Sequence, residues 1–88
     1  MNLEYLDLGF GDITTIPDSI SKLTSLKYFN MFGNKLTSLP KGFPLNLTSL
    51  ILRANLFKEF PKQIYQMKDL ELLDVSMNEI TTIEPLTK

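Results

Sequence analysis

The chain has 88 residues and a formal net charge of −1, with 43% hydrophobic and 22% charged residues. These proportions indicate one small folded domain rather than a disordered chain. The nearly neutral charge argues against nucleic acid or an anionic membrane surface as a partner. Cysteine and histidine do not occur, which excludes disulfides, thiolate chemistry and imidazole groups as bases or metal ligands.

The first predicted element is a short strand near the start of the chain. Residues 3–11 are LEYLDLGFG, in which Leu6 and Leu8 alternate with a polar residue. Alternation with a period of two is typical of a strand with one buried face. Two more apolar residues follow at Ile13 and Ile16, and Pro17 then interrupts the chain.

The same nine-residue pattern recurs three times along the chain. The later copies are LKYFNMFGN from residue 26, LTSLILRAN from residue 47 and LELLDVSMN from residue 70, so the copies start 23, 21 and 23 residues apart. Each copy is followed by two apolar positions, which in the fourth copy are Ile80 and Ile83. A fixed period of this length predicts a solenoid of stacked turns.

The connecting segments are of two kinds. IPDSISKLTS and FPKQIYQMKD carry apolar residues three apart after a proline, which predicts about one turn of α- or 3₁₀-helix. LPKGFPLN is two residues shorter and contains Gly42 and Pro44. We expect it to cross in an extended or turn-like conformation.

These four copies resemble the leucine-rich repeat family over essentially the whole chain. The resemblance implies an α/β fold, a leucine-rich repeat solenoid with a short parallel concave β-sheet and an irregular or 3₁₀-helical convex side. It also implies one array over residues 1–88, with repeats starting near residues 3, 26, 47 and 70. The subclass of repeat stays open, because the short second copy and the last copy resemble different subclasses.

One residue of each strand pattern predicts how the turns are held together. Asparagine closes the last three copies, at Asn34, Asn55 and Asn78, and Gly11 takes this place in the first. A buried carboxamide has donors and an acceptor that satisfy backbone groups at a bend. We therefore expect a structural ladder of asparagines that links neighbouring turns.

A concave binding face is the predicted site of function. In repeats of this shape, positions three, five, seven and eight point outward from the sheet, and position eight is often partly buried by the bend, which makes Phe10 and Met77 candidates for the core. Aromatic side chains with an arginine are typical of protein interfaces. The candidate partner-binding residues are Tyr5, Asp7, Tyr28, Asn30, Phe32, Ile51, Arg53, Leu72 and Asp74.

An enzymatic function is not predicted, and neither is a cofactor or metal site. The best carboxylate candidates, Asp7 and Asp74, lie on strands three apart, or about 14 Å. A pair of glycosidase carboxylates needs about 5 to 9.5 Å. No apolar run approaches the roughly 20 residues of a membrane span.

Three functions are compatible with the pattern. We expect a non-enzymatic scaffold that binds a protein partner on its concave face. A structural unit that dimerises through uncapped ends is the first alternative, because the terminal turns of a solenoid need a cover. A substrate-recognition segment of a larger effector, receptor or regulatory protein is the second, and the sequence favours a segment over a complete protein. The lack of cysteine and of a signal peptide weakly predicts a cytoplasmic location.

Overall fold

A computed structural model describes residues 3–81. Within these residues, four three-residue strands and two short 3₁₀-helices follow one another. They are β1 (Tyr5–Asp7), the first 3₁₀-helix (Asp18–Lys22), β2 (Tyr28–Asn30), β3 (Ser49–Ile51), the second 3₁₀-helix (Lys62–Gln66) and β4 (Leu72–Asp74). Ile83, predicted to complete the fourth turn, lies outside the described residues.

The strands form one parallel sheet in the order β1-β2-β3-β4. Tyr28 is in register with Tyr5 on one side and with Ser49 on the other, and Ser49 is in register with Leu72. Equivalent positions of the nine-residue pattern therefore lie side by side across the sheet. This arrangement confirms the predicted solenoid with a parallel concave sheet.

The structure of each connecting segment depends on its length. Each 3₁₀-helix comes directly after a proline, Pro17 or Pro61, whose fixed φ suits a helix start. The first helix ends where the Leu23 N–H donates to the Ile20 carbonyl at 3.0 Å. The shorter segment after Pro40 contains a turn at residues 41–42 and no helix, as its glycine and second proline predict.

The core lies between the sheet and the connecting segments. It is deepest in the two inner turns, where the inward strand residues are fully enclosed: Leu26, Phe29, Met31, Leu47, Leu50 and Leu52. The outer strands are less covered, and Leu8, predicted to face the core, is 41% exposed. β1 is an edge strand, so Leu8 has a neighbouring turn on one side only.

Position eight of the pattern has the same unusual backbone in all four turns. Phe10, Ala54 and Met77 have φ of 59°, 59° and 55°, and Gly33 has φ of 76°. The left-handed conformation turns the chain away from the sheet and points the side chain outward. The prediction that Phe10 and Met77 belong to the core is therefore wrong, since they are 79% and 66% exposed.

We predict that Gly33→Ala destabilises the fold by about 1–2 kcal/mol, since a side chain disfavours left-handed φ. The new Cβ would also lie 3.2 Å from a ring carbon of Phe10. Ala54→Gly at the equivalent position serves as the control and should leave stability unchanged or raise it slightly. Urea unfolding measures both, and equal losses for the two variants would contradict the explanation.

Candidate functional site

The frame that holds the concave face is a set of three asparagine side chains. In the third turn, Asn55 Nδ2 donates to the Met31 carbonyl of the preceding turn at 2.8 Å and to the Leu52 carbonyl of its own turn at 3.1 Å. Its Oδ1 accepts the Leu36 N–H at 2.9 Å. One side chain thus joins two turns and satisfies backbone groups that the bend leaves unpaired.

The other two asparagines repeat this pattern. Asn34 donates to Leu8 and accepts from Ile13, and Asn78 donates to Leu52 and accepts from Phe57, all at 2.8–3.1 Å. Each reaches back to the preceding turn. At Gly11 a Cβ would lie 3.0 Å from Asn34 Oδ1, so the glycine also leaves room for the neighbouring carboxamide.

Tyr5 and Tyr28 form a stacked pair on the concave face. Their ring centroids lie 4.1 Å apart and the planes differ by 1°, a spacing close to that of the strands that carry them. Hydrogen bonding with Tyr28 is the main cause that raises the pKa of Tyr5 above its ordinary value of 10.0. Tyr5 therefore stays neutral at physiological pH.

A second aromatic pair lies just beyond the carboxyl ends of β1 and β2. The rings of Phe10 and Phe32 have centroids 4.7 Å apart, and the guanidinium carbon of Arg53 lies 5.7 Å from the Phe32 ring centroid. Arg53 also donates to Ser76 Oγ at 2.7 Å and lies 3.9 Å from Asp74 Oδ2. These contacts hold Arg53 across the third and fourth turns.

Three polar residues of position five have a structural contact in common. An Oδ1 atom of Asp7, Asn30 or Asp74 accepts the N–H of the residue two further along, at 2.9–3.1 Å. Each thereby stabilises the turn that ends its strand. Ile51 takes this position in the third turn and lies between Asn30 and Asp74 in register.

Asp74 is the most strongly held of the concave carboxylates. The Ser76 hydroxyl donates to it at 2.6 Å. This hydrogen bond, then the one from the Ser76 N–H, and further the charge of Arg53 keep the pKa of Asp74 below its ordinary value of 3.8. Asp74 is thus fully ionised at physiological pH.

The structure places all nine predicted site residues on the concave face but divides them into parts. The tyrosines form one pair, Phe32 and Arg53 form another group, and Leu72 is half exposed on β4. The sequence-based prediction omitted Phe10, which pairs with Phe32, and Ser76, which joins Arg53 to Asp74. Their pattern positions, eight and seven, were the signal for both.

The described part of the chain shows no arrangement suited to metal binding. Within residues 3–81, no group of three or more acidic residues is placed to hold a metal ion. No helix in that range is long and apolar enough to cross a lipid bilayer.

The geometry defines a class of protein first. A repeat solenoid is typically built from single parallel strands, bends bonded by asparagine side chains and short convex helices, as this chain is. The family model for Leucine Rich Repeat matches residues 2–23 and 25–45. The chain belongs to the leucine-rich repeat family.

Curated relatives agree with this assignment. Adenylate cyclase of Schizosaccharomyces pombe is 35% identical over all of the chain, and rat osteomodulin is 33% identical over 94% of it. A mouse leucine-rich repeat and calponin homology domain-containing protein is 40% identical over 86% of the chain. The chain spans only 5%, 21% and 11% of the lengths of these three relatives.

Proposed function

We propose that the chain is a non-enzymatic scaffold that binds a protein partner on its concave face. Leucine-rich repeat domains generally mediate protein–protein interactions, and solenoids use their concave surfaces for this purpose. The observation that carries the proposal is the pair of aromatic contacts on that face, with Tyr5 and Phe10 largely exposed. Exposed aromatic pairs on one face are typical of an interface.

The frame beneath the face supports the same proposal. The concave side chains stand on strands paired in fixed register and on bends held by buried asparagines. Tyr5, Tyr28 and Arg53 are already ordered by their contacts with one another or with neighbouring turns. Little conformational entropy would be lost on binding, which favours affinity.

The experiment compares the chain with the double variant Tyr28→Ala/Phe32→Ala. Both side chains are on the concave face, so we expect the variant to fold but to lose the proteins that the unchanged chain captures from a cell extract. Lys58→Ala/Lys62→Ala is the matched control, because these lysines lie on the connecting segment after β3. Mass spectrometry identifies the captured proteins. Equal capture by the unchanged chain and the concave variant would refute the proposal.

A second candidate, self-association, has one observation in its favour. A cavity of about 430 Å³ opens beside β1, and its apolar lining includes Leu6, Leu8, Ile16 and Phe29. A second copy that covers this cavity would bury apolar surface. Sedimentation velocity over a concentration series tests this. A sedimentation coefficient that does not change with concentration would rule self-association out.

A recognition segment within a longer protein is compatible with the first proposal. The relatives named above are each several times longer than this chain. The concave face would serve the same purpose there, with the partner chosen by the same side chains. A cytoplasmic location is a further part of this proposal, and the absence of cysteine supports it.

A further inference from the structure

The row of position-three residues on the concave face has a gap in it. Tyr5, Tyr28, Ser49 and Leu72 lie side by side in register, and the two rings are stacked at 4.1 Å. Ser49 is the small member, so the second face of the Tyr28 ring meets no ring or cation among the described residues. We call the space between Tyr28 and Leu72, with Ser49 as its floor, the Ser49 slot.

The slot is wide enough for one planar group. Neighbouring strands are about 4.8 Å apart, so Tyr28 and Leu72 stand on strands about 10 Å apart. The tyrosine pair shows that planar groups on this face stack at the spacing of the strands. A third planar group above Ser49 would continue the stack and contact Leu72 on its other side.

Two carboxylates lie on the β4 side of the slot. Asp74 lies two residues after Leu72, at the end of β4. Glu71 directly precedes β4 and is exposed, and its N–H donates to the Thr48 carbonyl next to Ser49 at 2.8 Å. On the opposite side Lys27 directly precedes β2, and its Nζ donates to the Asn46 carbonyl at 3.3 Å. Asp74 is partly offset by Arg53 at 3.9 Å, whereas Glu71 has no ion pair among the described residues.

One group on the same face already combines an aromatic ring, a planar cation and a carboxylate. Arg53 lies over the Phe32 ring at 5.7 Å and extends toward Asp74 in the next turn. Tyr28 likewise lies two turns from Asp74, in the row of Leu72 rather than beyond Asp74, and here the third turn supplies Ser49 where a cation would stand. The missing group in this second arrangement is a planar cation.

We propose that the Ser49 slot receives an arginine side chain of the protein partner, stacked on Tyr28 and paired with Glu71 or Asp74. The proposal rests on the proposed protein-binding function and adds the chemistry of the partner. A guanidinium is planar and weakly hydrated, so it both stacks on a ring and binds a carboxylate. A lysine ammonium is compact and strongly hydrated, and an aromatic ring would offer no charge to the Glu71 carboxylate.

The test is an NMR titration of the isotope-labelled chain with N-acetyl-arginine methylamide. We expect shifts centred on Tyr28, Ser49 and Leu72, with weaker binding of the lysine analogue and of the phenylalanine analogue. Glu71→Gln removes one carboxylate from an exposed position and should weaken the arginine probe by about twofold to fivefold. Ser49→Phe fills the slot and should abolish the shifts, whereas Ser49→Ala keeps the slot open and retains them.

The outcomes separate this proposal from the broader one. Shifts that persist in Ser49→Phe, with an unchanged melting temperature, would overturn the slot. Equal binding of the phenylalanine analogue would show a slot for aromatic groups and overturn the arginine. If Tyr28→Ala/Phe32→Ala loses its partner but the arginine probe produces no shifts at the slot, the concave face binds by other chemistry and only the present inference fails.

Discussion

Asn55→Ala should lower the free energy of unfolding by about 2–4 kcal/mol. Asn55 is 3% exposed, and its loss leaves the buried Leu36 N–H without its partner. It also removes one of the two carboxamide donors to the Met31 carbonyl, which then keeps only its hydrogen bond from Asn34. Each unsatisfied buried group costs about 1–3 kcal/mol. A chain of this length has a total stability of roughly 4–13 kcal/mol, so much of it would be lost.

Asn46→Ala is the matched control for Asn55→Ala. The Asn46 side chain is exposed and makes no hydrogen bond with another described residue, so we expect a change within about 0.5 kcal/mol. Asn78→Ala should fall between the two, since Asn78 makes the same contacts but is half-buried. Urea unfolding at fixed pH gives all three values. Equal values for Asn55→Ala and Asn46→Ala would contradict the structural role of the carboxamide.

Much of the frame could be predicted from the repeated pattern. Four copies of one pattern determine which strand residues share a row, so the register of Tyr5, Tyr28, Ser49 and Leu72 follows from alignment alone. The two helices also follow, because Pro17 and Pro61 each precede apolar residues three apart. The sequence did not distinguish an α-helix from a 3₁₀-helix. Each helix has five residues with hydrogen bonds between residues three apart, so both are 3₁₀-helices.

The contacts of the outward-facing residues were harder to predict, because they depend on the local backbone conformation as well as on position in the nine-residue pattern. Phe10 and Met77 appeared apolar enough for the core, but the left-handed backbone of position eight directs them into solvent. Among the four residues at position eight, only Gly33 is of a type that indicates a left-handed backbone in the sequence. Phe43 was missed for another reason. It stands three residues after Pro40, as Ile20 does after Pro17, but its segment is two residues shorter and lacks the second apolar residue of the helix pattern.

Phe29→Ala should cost about 3–5 kcal/mol, the largest effect of a single substitution that we predict. Phe29 is fully enclosed at the centre of β2, and its ring meets the edge of Phe43 at 5.1 Å with an interplanar angle of 76°. Phe43 comes from the short connecting segment, where no helix is available to cover the sheet. One large ring from the segment thus takes the place of the helix residues Ile20 and Ile64 in the other turns.

The exposed Phe10 provides the control for this prediction. Phe10→Ala removes the same ring from the concave face and should cost less than about 1 kcal/mol, since little apolar area leaves the core. The milder variants Phe29→Leu and Phe43→Leu, alone and combined, keep the chain folded and allow a double-mutant cycle by urea unfolding. We expect the edge contact to contribute a coupling of about 0.5–1.5 kcal/mol. If the two losses are simply additive, Phe43 fills the short turn by volume alone, and any residue of similar size would replace it.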